Sequence, residues 1–107
     1  MKIQVTYIES KTIDNQANFF NWDSDMSYYV KENYKDTNKI ISENISHITT
    51  TIDNVQFIER TVTRIFESPE SLLEFNLDQR ISEHRKLKNT YNLNNKISTR
   101  TEKTFID

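Results

Sequence analysis

The sequence predicts an α+β domain in the order strand–helix–strand–strand–helix–strand, and three stretches carry that expectation. In the middle, Ile48, Thr50 and Ile52 alternate up to Asp53-Asn54, and Val55, Phe57, Ile58, Val62, Ile65 and Phe66 follow. That pattern reads as two strands around a two-residue turn. Next, Ser68 and Pro69 supply an N-cap and a proline at the first helical position. The helix they open carries Leu73, Leu77, Ile81 and His84 at i, i+4, i+8 and i+11. At the amino end, Ile3, Val5 and Tyr7 alternate as a strand does.

Taken in order, Met1 to Glu9 is the first strand. Lys11 to Ser24 is polar but holds Ile13, Phe19, Phe20 and Trp22. Leaving such side chains in water forgoes about 1.5–3 kcal/mol each, so a short helix or lid folded on the core or on a partner chain is expected. From Asp25 to about Ser42, Met26, Tyr29, Val30, Tyr34, Thr37 and Ile41 fall near one helical face, with Asp23, Ser24 or Asp25 as cap. Ile45 to Phe66 is the hairpin; a turn at Asp53-Asn54 sets Ile52 opposite Val55, Thr50 opposite Phe57 and His47 opposite Arg60. Its second strand is apolar on both faces, with Val55, Phe57 and Ile65 on one and Ile58, Val62 and Phe66 on the other. Two helices cover one face of a sheet, so a second copy of the chain is expected on the other.

Ser68 to about Lys88 is the second helix, with Arg85, Lys86 and Lys88 in its last turns, where cations interact favourably with the helix dipole; anion binding is the alternative reading of this basic run. Asn89 to Asn95 reads as a turn. Lys96 to Ile106 alternates as a polar edge strand. With no repeat and no linker, residues 1–107 make a single domain.

Composition excludes more than it selects. The absence of cysteine removes disulfides, thiolate nucleophiles and zinc-thiolate sites. The absence of glycine removes the P-loop, the dinucleotide fingerprint and the standard EF-hand loop, whose backbones need positive φ or close approach to phosphate. It also hands the left-handed turn positions to Asn and Asp. Two histidines, His47 and His84, cannot form a three-histidine metal site. No metal and no cofactor is expected. A net charge of −2 supplies no long-range field for nucleic acid or anionic lipid, and no apolar run reaches the ~18 residues of a membrane span. Neither nucleic acid nor membrane is expected as a partner, and a cytoplasmic location is the default.

The element order is that of the ferredoxin-like fold. Phe66-Glu67-Ser68-Pro69-Glu70-Ser71-Leu72, at the junction of third strand and second helix, resembles the dimeric α/β-barrel superfamily. That group includes the antibiotic-biosynthesis-type monooxygenases and stress-responsive barrel proteins. The resemblance implies a ferredoxin-like antiparallel sheet packing sheet to sheet as a dimeric α/β barrel. It does not extend to the oxygenase chemistry: where monooxygenase-like members place histidines, this chain has Phe75 and Arg80.

Five residues stand out as candidate ligand contacts: Trp22, Tyr29, Glu59, Arg60 and His84. Trp22 and Tyr29 offer rings for a planar molecule. His84 flanks the apolar face of a helix. Glu59 and Arg60, with Arg64, place charge in a central strand, where charges must pair or border a wet cavity. No catalytic residue is assigned, because neither histidine has a recognisable nucleophile beside it. The leading functional expectation is a homodimer that binds a small apolar or aromatic ligand, or is purely structural. The alternative is a cofactor-independent, monooxygenase-like enzyme acting on an aromatic substrate. A third is a protein-interaction module that docks through its dimer surface or through a lid of Phe19, Phe20 and Trp22.

Overall fold

The structure, a computed structural model, describes residues 1–106. Strands β1 (Lys2–Thr12), β2 (Ile40–Ile52), β3 (Val55–Phe66) and β4 (Ser98–Ile106) form one antiparallel sheet in the order β2-β3-β1-β4. Helices α1 (Ser24–Val30), α2 (Pro69–Leu77) and α3 (Gln79–Asn94) pack on one face of it. No helix among the described residues is long and apolar enough to cross a membrane.

The hairpin has the expected register: Ile52 faces Val55, Thr50 faces Phe57 and His47 faces Arg60. Asp53 and Asn54 both take positive φ, 50° and 65°, the geometry that matches a two-residue turn to the strands' twist. Asn38 (φ 60°) is a third left-handed position and overturns a boundary. The helix expected to reach Ser42 ends after one π-type turn at Lys31–Lys35; Asn38 reverses the chain, and β2 starts at Ile40. Asp23 is the cap, its Oδ1 accepting from Met26 N at 2.8 Å.

The single helix expected over Ser68 to Lys88 is two. Ser68 does cap α2, accepting from Ser71 N. Asp78, however, leaves helical geometry (φ −61°, ψ 120°) and its Oδ1 accepts from Arg80 N at 2.9 Å and Ile81 N at 3.3 Å to start α3. The break turns Leu73 and Leu77 to solvent, and α2 buries Ser71, Leu72 and Phe75 in their place. The expected turn at Asn89 to Asn95 is helical through Asn94, because Asn92 is buried against the sheet and α3 continues to carry it there. Lys96 (φ 57°) then reverses the chain, and Ile97 N donates to Asn92 O at 2.9 Å.

In place of the helix expected over Lys11 to Ser24, residues 13–23 form a strap that opens on a turn and has no helix or strand. Its backbone carbonyls accept from side chains, Asn18 O from Tyr91 Oη at 2.6 Å and Phe20 O from Arg60 Nη2 at 2.7 Å, and its own Asn15 Nδ2 donates to Asn95 O at 2.7 Å.

The core lies between sheet and helices: Ile3, Val5, Ile40 and Phe66 below, Met26, Val30, Tyr34, Leu72, Phe75 and Ile81 above. Phe75 meets Tyr34 and Phe66 edge-on, with ring centroids 5.1 and 5.3 Å away. Strand alternation puts Val62 and Phe66 under the helices and Val55, Phe57 and Ile65 on the opposite face. That opposite face carries no helix.

Candidate functional site

Along β1, Ile3, Val5, Tyr7 and Glu9 all point toward the helices, so a carboxylate follows three core side chains. Beside it on β3, the same alternation points Arg60, Val62 and Arg64 inward. Glu9 and Arg60 are 1% and 6% exposed. Arg60 Nε donates to Glu9 Oε1 at 3.0 Å, and Arg60 Nη2 donates to the same oxygen and, at 2.7 Å, to Phe20 O. Arg60 Nη1 donates to Asn21 Oδ1. The other carboxylate oxygen of Glu9 accepts from Asn92 Nδ2 of α3 at 3.3 Å. Lys88 Nζ, one helical turn earlier, stands 3.5 Å from Glu9 Oε1. The charges are buried, and each has a partner.

A second pair lies further along β3. Arg64 Nε donates to Glu43 Oε2 at 2.7 Å, and Lys35 Nζ donates to Glu43 Oε1 at 2.9 Å. Burial opposes ionisation of Glu43, but these two cations outweigh it and lower its pKa. The Arg64 guanidinium lies 4.4 Å from the Trp22 ring centroid, 5.0 Å from that of Tyr7 and 5.8 Å from that of Phe75.

Between these pairs and α3 the packing opens into a cleft. Trp22 divides it into a space of about 150 Å³ toward β4 and one of about 210 Å³ toward β2. Tyr7, Trp22, Arg64, Phe75, His84 and Lys88 border the first; Trp22, Arg64 and Lys88 also border the second, with Arg60. The His84 ring packs 5.2 Å from Phe20. Burial lowers its pKa, Asp23 partly opposes this and Lys88 adds to it, so the ring is neutral at pH 7. Burial lowers the pKa of Lys88 as well; Glu9 opposes, while Arg60 and Arg64 push the same way.

Of the five candidates named from sequence, Trp22, Arg60 and His84 border this cleft. Tyr29 does not. Its hydroxyl donates to Asp78 Oδ2 at 2.6 Å, as that of Tyr34 does, and Arg80 stacks on its ring at 4.6 Å. Glu59 lies on the helix-free face, between Ser10 and Ile48. Across the hairpin, His47 is in register with Arg60, but its ring meets Phe19 while Arg60 turns to Glu9. Sequence reasoning does not single out Glu9, whose signal is a carboxylate in phase with Ile3, Val5 and Tyr7; Lys88 is marked only as part of the basic run for which anion binding is the second reading.

No protein-family model matches the chain, and no curated protein matches it. Among solved structures, the chain is similar to a dimeric ferredoxin-like protein from an uncultured marine organism. The two share 11% identity over 99% of this chain and 96% of that one, with a TM-score of 0.50. A de novo designed protein, Foldit4, aligns over 100% of both chains at 13% identity and a TM-score of 0.45. Element order, sheet order and the marine structure agree on an α+β, ferredoxin-like fold.

Proposed function

We propose that the protein is a homodimeric, small-molecule-binding protein whose ligand occupies the cleft between the sheet and α3. The observation that carries the reading is an aromatic-walled space of about 150 Å³ set directly on buried, paired charges. Such a space has room for a single aromatic ring. Its wall is mixed, with Tyr7, Trp22, Phe75 and Ile81 on the apolar side and Glu9, Arg64, Arg85, Lys88 and Arg100 supplying charge. His84 packs its ring on Phe20 at the border of this space.

The dimer rests on the helix-free sheet face. Ile8, Ile48, Ile52, Val55, Phe57 and Ile65 lie on it, interrupted by Glu59 and a band of threonines, and Ile48 and Val55 are 52% and 45% exposed. The fold-level neighbour is described as dimeric. Phe19, Phe20 and Trp22, by contrast, are half-buried against their own chain, which takes the lid away from the interaction-module reading.

An amide NMR spectrum recorded against a panel of single-ring compounds, neutral, anionic and cationic, tests the cleft. Saturable shifts clustered at Tyr7, Trp22, His84 and Lys88 are expected. Shifts scattered over the surface, or none, would overturn the reading.

A further inference from the structure

We propose that the ligand is a one-ring carboxylate, its carboxylate received by Arg64 and Lys88 and its ring lying among Tyr7, Trp22, Phe75 and His84. This rests on the cleft being a ligand site and adds the chemistry of what it takes.

Charge is the first argument. Six cations border the cleft, Lys35, Arg60, Arg64, Arg85, Lys88 and Arg100, against two carboxylates, Glu9 and Glu43. The imbalance sits in a chain whose net charge is −2, so it is local to the cleft. The cations also differ in what their partners leave over. Arg60 is nearly filled: Glu9, Asn21 and the carbonyl of Phe20 take four of its five N–H groups. Arg64 uses only Nε, on Glu43, and neither Nη1 nor Nη2 meets an acceptor among the described residues. Lys88 approaches only a Glu9 oxygen that already accepts twice from Arg60, and at a long 3.5 Å. Its side chain is 26% exposed, so it is neither fully hydrated nor fully paired. Two under-partnered cations bordering one partly dry space favour an anion and exclude a cation.

Shape is the second. The Arg64 guanidinium already lies over Trp22, so its remaining N–H groups form an edge beside an aromatic wall. That edge matches a carboxylate's two oxygens, and the wall matches a ring attached to it. A space of about 150 Å³ has room for one ring.

The test compares three probes of nearly equal size, benzoate, benzamide and benzylamine, titrated into the full chain and followed by the fluorescence of Trp22, its single tryptophan. Benzoate is expected to bind about ten- to a hundredfold more tightly than benzamide, the difference a charged hydrogen-bond pair makes, and benzylamine not at all. Lys88→Gln is expected to weaken benzoate by a similar factor and leave benzamide unchanged. Lys88→Arg, which keeps the charge, is expected to stay near wild type and guards against a folding defect in the glutamine variant. If benzamide or benzylamine binds as well as benzoate, the carboxylate assignment falls while the cleft survives as an aromatic site. If none of the three alters Trp22, the assignment falls, and the broader NMR panel decides the cleft separately.

Discussion

Glu9 and Arg60 illustrate how far a single side chain depends on a distant one. A buried ion pair adds little over a well-packed apolar pair, yet removing one partner strands the other. Arg60→Met is therefore expected to cost about 3–5 kcal/mol in urea unfolding, and Glu9→Leu/Arg60→Met to recover most of it. A single variant within 1 kcal/mol of wild type would contradict this. Asp78 offers a pH test. Burial opposes its ionisation, but the hydroxyls of Tyr29 and Tyr34 and the N–H groups of Ile81 and Arg80 outweigh that and lower its pKa. A folded pKa below the unfolded value of about 3.9 stabilises the protein above that value, and the gain fades as pH falls through the folded pKa. Asp78→Asn should accordingly flatten the acid limb of the stability curve below about pH 4, and a curve unchanged from wild type would remove Asp78 from the account. Tyr34 is displaced the other way: burial and its bond to Asp78 raise its pKa well above the tyrosine range.

Elements were legible where their chemistry is local. The Asp53-Asn54 turn, the Ser68-Pro69 start and the strand alternation each sit within a few residues, and each set the geometry found. The turn can be tested directly. Asn54→Gly should leave stability unchanged or raise it, whereas Asn54→Val, forced to φ near 65°, should lose about 1–2 kcal/mol in thermal unfolding. Equal stability for the two would mean the turn is not under this constraint. Where boundaries went astray, the deciding contact was remote. Asp78 reads as one more polar residue inside a helical pattern; besides capping Arg80 and Ile81, it is held at the break by the remote hydroxyls of Tyr29 on α1 and Tyr34 on the π-type turn. Asn89 to Asn95 has the composition of a turn, but Asn92 reaches Glu9, 83 residues away in sequence. Asn38 looked helical because Tyr34, Thr37 and Ile41 kept the spacing, and its left-handed backbone is visible only in three dimensions.

At the scale of the whole molecule, the two faces of one sheet carry different tasks. The helix-side face combines core and cleft, and half of that cleft was legible: Arg60 and Arg64 had to be paired somewhere, but their partners came from β1 and β2. The other face sets Ile8, Ile48, Ile52, Val55, Phe57 and Ile65 among threonines and the charged Glu59, Arg100 and Glu102, with no helix over it among the described residues. If it is the dimer surface, Ile48→Lys and Phe57→Lys together should yield a monomer by sedimentation while wild type sediments as a dimer; a wild-type monomer would end that reading. The cleft lies on the far side of the sheet, so ligand affinity should be nearly equal in the two forms.

The strap that runs over the cleft is fastened to Asn95, Tyr91, Arg60 and Lys11, with no helix or strand of its own. A guest beneath Trp22 and the tightness of those fastenings are then thermodynamically reciprocal: whatever helps one must help the other to the same degree. Loosening a clasp remote from the pocket, as Tyr91→Phe does, would be felt as faster escape of the guest, and filling the pocket would be felt at Ala17, whose N–H donates to Asn15 Oδ1, as slower exchange of its amide proton.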